Sequence, residues 1–163
     1  MQSIAFAAPL LPGKTPADLE ARPLRRGAMS ETLGSMIAAA RGCVSEVPPA
    51  EASEAQQRKE VHLIVDVRER HEFDGAHVRG SVNIPRGMLE LRADAAAPSA
   101  DASLTAARSK RVILYCTKNP SARSLLAAHT LQNMGYESVQ VLGGGLDAWS
   151  AAGLPVERST AGG

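Results

Sequence analysis

Cys116 is the residue in this sequence whose setting most favours covalent chemistry. The segment that follows it, Thr117 to Ser124, is short and polar and carries two cations, Lys118 and Arg123. Nearby cations favour the thiolate form of a cysteine, and the thiolate is the nucleophile in both sulfur transfer and phosphoryl transfer. The pattern therefore predicts a nucleophilic cysteine that acts on an anionic substrate. Cys43, the other cysteine, lacks a comparable segment and is interpreted as structural.

The elements around Cys116 are predicted to place it at the edge of a sheet. Residues 111–115 form an apolar, strand-like run, and residues 124–134 carry apolar side chains at helical spacing, with Gly135 just beyond. Cys116 follows the strand directly, and ligand crevices of open α/β sheets form at that carboxyl edge. Backbone N–H groups and the positive end of the helix would then face an anion.

Elsewhere the pattern alternates between strands and helices, which predicts an α/β fold with a mostly parallel sheet. Besides residues 111–115, strands are predicted at 61–65, 81–85 and 138–142. Besides residues 124–134, helices are predicted from Ser30 or Thr32 to Gly42, at 50–58 and at 146–152, with one helical turn at 104–108. Prolines interrupt every short apolar run within residues 1–28, so we expect that arm to be poorly ordered.

Composition narrows the classes of function. The 163 residues suit one domain, and the 18 basic and 17 acidic residues are mixed along the chain, so no nucleic acid partner is expected. No stretch matches a membrane span or a secretory signal, which predicts a cytoplasmic protein without a membrane partner. Two distant cysteines and four scattered histidines argue against a disulfide framework and a structural zinc site. We expect neither a metal nor an organic cofactor.

Several segments resemble the rhodanese-like domain family, from about Val47 to Val156. They are LIVDVRE at 63–69, EFDGAHVRGSVNIP at 72–85, LYC at 114–116, Arg123-Ser124, and VLGGGLDAW at 141–149. The resemblance implies a three-layer fold with a five-stranded, mostly parallel sheet and helices on both faces. It also implies a sulfurtransferase in which Cys116 accepts sulfane sulfur as a persulfide. We therefore expect a domain at 29–158 that includes the N-terminal helix, and a flexible tail at 159–163.

The site expected from this resemblance and from the loop chemistry has Cys116 and Arg123 as catalytic residues. The expected substrate-binding residues are Thr117, Lys118, Asn119, Ser121, Ala122 and Ser124. The partners would be a small anionic sulfur donor such as thiosulfate and a thiol or protein acceptor. Four signature residues of the family pattern are expected to be structural: Asp66, Arg68, His77 and Asn83. The glycines at 143–145 lack the Lys-Ser/Thr ending of a phosphate loop and are interpreted as a tight turn.

The loop after Cys116 departs from the family pattern. Sulfurtransferases commonly have four residues between the cysteine and the arginine, whereas six separate Cys116 from Arg123. Related phosphatases and arsenate reductases also have a longer loop, so oxyanion chemistry and a non-catalytic regulatory module remain alternatives. No acidic residue is identified near the loop that could protonate a leaving group. Asn119-Pro120 resembles an N-cap with a first-turn proline, which predicts a helix start near Pro120 and a pocket of ordinary size.

Overall fold

The computed structural model describes residues 30–118 and 122–159. In chain order its elements are α1 (Leu33–Cys43), β1 (Ser45–Val47), α2 (Pro49–Gln57), β2 (Leu63–Asp66), α3 (Arg70–Gly75), β3 (His77–Val78), β4 (Val82–Asn83), a 3₁₀ turn (Arg86–Met88), α4 (Leu89–Ala93), α5 (Ala102–Thr105), β5 (Arg111–Tyr115), α6 (Ala122–Asn133), β6 (Ser138–Leu142), α7 (Gly145–Ala151) and β7 (Val156–Glu157). Within these ranges no helix is long and apolar enough to cross a membrane.

A five-stranded parallel sheet forms the middle layer, in the order β1-β6-β5-β2-β4. Its central strand, β5, pairs Leu114 with Val65 on one side and with Val141 on the other. Strands covered on both faces read as continuous apolar runs, which is why β2, β5 and β6 are visible in the sequence. The predicted α/β fold is confirmed, with every strand of this sheet parallel.

Helices cover both faces of the sheet and enclose two apolar cores. On one face α1, α4, α5 and α6 pack over a cluster that includes Leu114 and Leu131. On the other face α2 and α7 pack over a cluster centred on Trp149, which is 1% exposed. A fully buried Leu side chain contributes about 1.5–3 kcal/mol, so aliphatic side chains can build this core with few aromatic residues.

Helix α1 begins as its sequence predicts. The Thr32 hydroxyl accepts the Ser35 N–H, and the Ser35 hydroxyl accepts the Thr32 N–H, so two otherwise unpaired donors are satisfied. The helix runs one residue past the predicted end, to Cys43, which is exposed. Its apolar face is only partly covered, because Leu33 and Met36 are 60% and 42% exposed.

The short elements account for most differences from the sequence-based expectations. β1 was not expected, because three residues centred on a glutamate show no strand pattern. The expected strand at 81–85 reduces to Val82–Asn83, and the expected helical turn at 104–108 lies earlier, at Ala102–Thr105. The Asp101 carboxylate fixes that earlier start by accepting the N–H groups of residues 103 and 104.

A two-stranded antiparallel ribbon, β3 with β7, lies apart from the main sheet. It pairs His77 with Glu157 and Val78 with Val156. Ser159, the first residue of the expected flexible tail, donates its N–H to the carbonyl of Asp74. The arm at 1–28 and residues 160–163 lie outside the described residues.

Candidate active site

Cys116 lies at the carboxyl end of β5, on the face of the sheet that α6 covers. Side chains alternate along β5: Val112 and Leu114 join the core beneath α6, and Tyr115 joins the opposite core. Continuing this alternation puts Cys116 on the α6 side, where its side chain packs with the first of these cores. The residue is 1% exposed. The sheet geometry therefore holds the sulfur against the first turn of α6.

The closest described polar partner of the sulfur is the hydroxyl of Ser124. Ser124 Oγ lies 3.0 Å from Cys116 Sγ, and both residues are buried. The thiol can also donate weakly to the carbonyl of Lys118, at 3.8 Å. Once the thiol has lost its proton, the Ser124 hydroxyl must be the donor, because a thiolate can only accept. Ser124 was predicted to bind substrate, and the structure places its hydroxyl against the Cys116 sulfur.

The N-terminus of α7 holds the backbone on which Cys116 lies. The N–H of Leu146 donates to the carbonyl of Cys116 at 2.9 Å, and the N–H of Asp147 donates to that of Thr117 at 2.8 Å. Gly145 has φ +61°, and a Cβ at this position would lie 2.5 Å from the Cys116 carbonyl oxygen. The glycines are a strand-to-helix turn, as expected, and their contact with the backbone of Cys116 is a further role that the sequence analysis missed. The parallel pairing of β5 and β6 was the available signal, because it brings both strand ends to one edge.

Arg123, in the first turn of α6, forms a two-pronged ion pair with Glu72. Its Nη1 donates to Glu72 Oε2 at 2.8 Å and its Nη2 donates to Oε1 at 3.1 Å. Glu72 lies in the first turn of α3, where its carboxylate also accepts the N–H of Glu69. The sequence analysis identified no acidic residue near the loop that could protonate a leaving group, and it did not find Glu72, the carboxylate that pairs with Arg123. The two partners are 51 positions apart in the sequence, which hid this pair from the sequence analysis.

Electrostatics keeps both members of this pair charged. The hydrogen bonds from Arg123 lower the pKa of Glu72 from 4.5 to about 2. The same hydrogen bonds raise the pKa of Arg123, and the charges of Glu72 and of Cys116 raise it further. Glu72 is therefore a carboxylate at neutral pH and cannot protonate a leaving group there.

The remaining predicted site residues differ in exposure. Lys118 is exposed, Thr117 is half-buried, and Ala122 is half-buried as the first residue of α6. Asn119 and Ser121 lie outside the described residues. So does the predicted N-cap with its proline, and the expected helix start near Pro120 remains a prediction.

The signature residues predicted to be structural support the end of β2, next to Cys116. Arg68 and Asp66 form a buried ion pair, in which Arg68 Nη2 donates to Asp66 Oδ2 at 2.6 Å. The same nitrogen also donates to the carbonyl of Ala76. The Asn83 side-chain amide donates to the backbone carbonyls of Asp66 and Arg68. His77 is buried, and its Nδ1 donates to the carbonyl of Phe73 at 2.8 Å. These contacts confirm the structural assignment.

No cluster of His, Cys, Asp and Glu able to hold a metal is present among residues 30–118 and 122–159. The chemistry that the arrangement supports is that of a buried sulfur nucleophile at the carboxyl edge of a parallel sheet, beside a serine hydroxyl. A cation paired with a carboxylate lies close to it.

The model of the rhodanese-like domain family matches residues 48–152. The chain belongs to this family. This assignment confirms the resemblance found in the sequence. The matched residues include every element from α2 to α7 and the whole segment from Cys116 to Ser124.

Three proteins that the chain is similar to have different descriptions. It is 32% identical to a solved protein of unknown function from Rhodopseudomonas palustris, described as a possible tyrosine phosphatase. That alignment covers 80% of this chain and 97% of the other, with a TM-score of 0.69. An uncharacterized protein of Synechocystis is 35% identical over 63% of this chain and 51% of its own length. The thiosulfate sulfurtransferase GlpE of Vibrio cholerae is 28% identical over 66% of this chain and 90% of its own length. The chain spans little more than half the length of the first curated relatives it matches.

Proposed function

We propose that this protein is a sulfurtransferase that carries sulfane sulfur on Cys116. The observation that carries the proposal is the placement of the Cys116 sulfur, buried at the carboxyl end of β5 and 3.0 Å from the Ser124 hydroxyl. The likeness to the Vibrio cholerae enzyme, which extends over 90% of that protein, supports the same chemistry. A small anionic donor such as thiosulfate suits a site that contains Arg123 and Lys118.

The proposed reaction has two half-reactions. The Cys116 thiolate attacks the outer sulfur of thiosulfate, a new S–S bond forms, and the S–S bond of the donor breaks. Sulfite leaves with the electron pair of that bond, and Cys116 becomes a persulfide. An acceptor nucleophile, which is cyanide in an assay and a thiol or protein in the cell, then attacks the outer sulfur and restores the thiolate. Neither half-reaction calls for a metal or an organic cofactor.

The residues around Cys116 would divide the remaining work. Ser124 donates to the thiolate, and Arg123 attracts and orients the donor while it remains paired with Glu72. Lys118, exposed and flexible, adds a point charge at the entrance. The backbone N–H groups of Thr117, Asn119, Ser121 and Ala122 are proposed to stabilise the charge on the persulfide. A cytoplasmic location accompanies the proposal, since thiols that act as acceptors stay reduced there.

Oxyanion chemistry is the second candidate. The likeness to a protein described as a possible tyrosine phosphatase favours it, and so does the six-residue spacing between Cys116 and Arg123. The ionised state of Glu72 counts against it, because a phosphatase needs an acid to protonate the leaving alcohol. Sulfur transfer requires no such acid.

Parallel turnover assays separate the candidates. The full chain is assayed for thiocyanate formation from thiosulfate and cyanide, and for hydrolysis of an aryl phosphate. We expect thiocyanate formation in the wild type and its loss in Cys116→Ser, with no phosphatase activity above that of the variant. Phosphatase activity that depends on Cys116, without thiocyanate formation, would contradict the proposal. If the chain shows neither activity, that result would favour a non-catalytic module and would also contradict the proposal.

A further inference from the structure

The ion pair between Arg123 and Glu72 occupies the part of Arg123 that best suits an anionic donor. A guanidinium grips an anion most strongly through two parallel N–H bonds. Both terminal nitrogens of Arg123 are already bonded to the two oxygens of one carboxylate, at 2.8 and 3.1 Å. A donor must therefore share Arg123 with Glu72 or displace it.

Glu72 is held where it is by its own helix. Its carboxylate accepts the backbone N–H of Glu69 at 3.0 Å as part of a capping box at the start of α3. Its side chain is 25% exposed, compared with 39% for Arg123. Because the helix end fixes the carboxylate independently of Arg123, the negative charge stays near the site when a substrate enters.

We propose that Glu72 is a specificity-determining residue that selects sulfur donors by charge and disfavours dianions relative to monoanions. The inference rests on the proposed sulfur transfer at Cys116. Glu72 offsets the charge of Arg123, so the pair presents little net positive charge to the donor. The repulsion between a fixed carboxylate and a donor is proportional to the donor's charge, and a dianion therefore experiences about twice the repulsion of a monoanion.

Two donors of similar shape and different charge give the direct test. Thiosulfate is a dianion, and methanethiosulfonate replaces one of its charged oxygens with a methyl group and is a monoanion. Each transfers its outer sulfur, and they release sulfite and methanesulfinate respectively. The quantity measured is the ratio of kcat/KM for thiosulfate to kcat/KM for methanethiosulfonate, with cyanide as the acceptor.

The decisive variant is Glu72→Gln, because glutamine can fill the N3 position of a capping box and removes only the charge. We expect it to raise the donor ratio by about threefold to tenfold, an increase that diminishes as salt screens the interaction. Glu54→Gln is the matched control, since it removes a carboxylate from an exposed ion pair with Arg58. It should leave the ratio unchanged, and Glu72→Asp should keep the ratio near that of the wild type.

Alkylation of Cys116 tests the same claim without sulfur transfer. Iodoacetate is an anion and iodoacetamide is a neutral molecule of similar size, so the ratio of their alkylation rates reports the charge of the pocket. Glu72→Gln should raise the iodoacetate-to-iodoacetamide ratio at Cys116, and Glu54→Gln should not. A cooperative unfolding transition that begins above the denaturant and temperature of the assay, measured for each variant, excludes a loss of fold as the cause.

A donor ratio or an alkylation ratio that stays the same in Glu72→Gln would overturn the role of Glu72. An equal fall in kcat/KM for both donors is one form of that result, and it would mean that Glu72 only supports the fold of α3. If neither donor loads Cys116 in the wild type, the proposed sulfur transfer fails and the alkylation ratio alone decides the charge selection.

Discussion

At the scale of single residues, the site depends on what surrounds one sulfur atom. Cys116 is almost fully buried, and Ser124 Oγ lies at hydrogen-bonding distance from it. A hydrogen bond to a charged group contributes about 1.5–3 kcal/mol, roughly twice the value of a neutral one. The hydroxyl can donate this stronger hydrogen bond to a thiolate, and its effect should appear in the reactivity of Cys116.

Ser124→Ala should slow the reaction of Cys116 with iodoacetamide by about tenfold at neutral pH, because the thiolate loses a donor worth about 1.4 kcal/mol or more. The rate is measured by mass spectrometry of the folded protein at several times. Ser150→Ala, at an exposed position on α7, is the control and should react like the wild type. Equal rates in all three proteins would show that Ser124 does not stabilise the thiolate.

Residue chemistry predicted part of the site and missed another part. The cationic, polar segment after Cys116 pointed to this cysteine as the candidate nucleophile without any knowledge of the fold, and the structure places it at the carboxyl end of β5. Glu72 could not be recognised in the same way, because α3 and α6 meet only in the folded chain. The structural roles of Asp66 and His77 were predictable, since buried polar groups require partners.

At the scale of elements, two helix ends converge on the end of β5. The first turn of α6 supplies Ser124 and Arg123, and the first turn of α7 binds the carbonyls of Cys116 and Thr117. The approach of α7 is close enough that Gly145 has no room for a side chain. The position of Cys116 therefore depends on α7 as well as on β5.

Gly145→Ala should destabilise the fold and disturb Cys116, because its Cβ would overlap the Cys116 carbonyl oxygen at 2.5 Å. Gly153→Ala is the matched control, since Gly153 has a similar φ of +69° and a Cβ added there would meet no described atom within 4 Å. We expect about 1 kcal/mol of destabilisation in the control and about 2–4 kcal/mol in Gly145→Ala. Denaturant unfolding measures both values.

The same pair of variants separates strain from function. Gly153→Ala should keep normal alkylation of Cys116, whereas Gly145→Ala should change its rate. Equal destabilisation with unchanged alkylation in both variants would contradict the claim that α7 positions Cys116.

Long elements were more predictable than short ones. β5 and β6 match their predicted bounds. α2, α6 and α7 each begin and end within two residues of the bounds predicted for that helix. β1 and α3 were missed because three to six residues carry too few apolar positions to establish a period. β1 forms because it pairs with the edge of β6. α3 forms because the capping box of Glu69 and Glu72 starts the helix.

At the scale of the whole molecule, the parallel sheet brings distant segments to one edge. The order β1-β6-β5-β2-β4 places the ends of β6 and β2 on either side of Cys116. The alternation of strands and helices predicted this architecture class, and the family resemblance supplied the number of strands. The packing of α3 near α6 follows from the complete topology, and no local pattern predicts it.

The ion pair of Glu72 and Arg123 should make the fold more stable at neutral pH than in acid. The pKa of Glu72 is lowered from 4.5 to about 2, so its contribution is fully present above pH 4.5 and is lost as the pH falls toward 2. The free energy of unfolding of the wild type should exceed that of Glu72→Gln at neutral pH, and the gap should narrow in acid. Urea unfolding at several pH values measures the gap, and a gap independent of pH would contradict this account.

The most direct test of the central claim is the intact mass of the protein after incubation with thiosulfate and removal of the excess donor. The wild type should gain the mass of one sulfur atom, located at Cys116 by peptide mapping and removed by cyanide. Cys116→Ser should gain nothing, and Cys43→Ser should gain the same mass as the wild type. An unmodified Cys116 in a protein that forms thiocyanate, or a sulfur adduct that persists in Cys116→Ser, would contradict it.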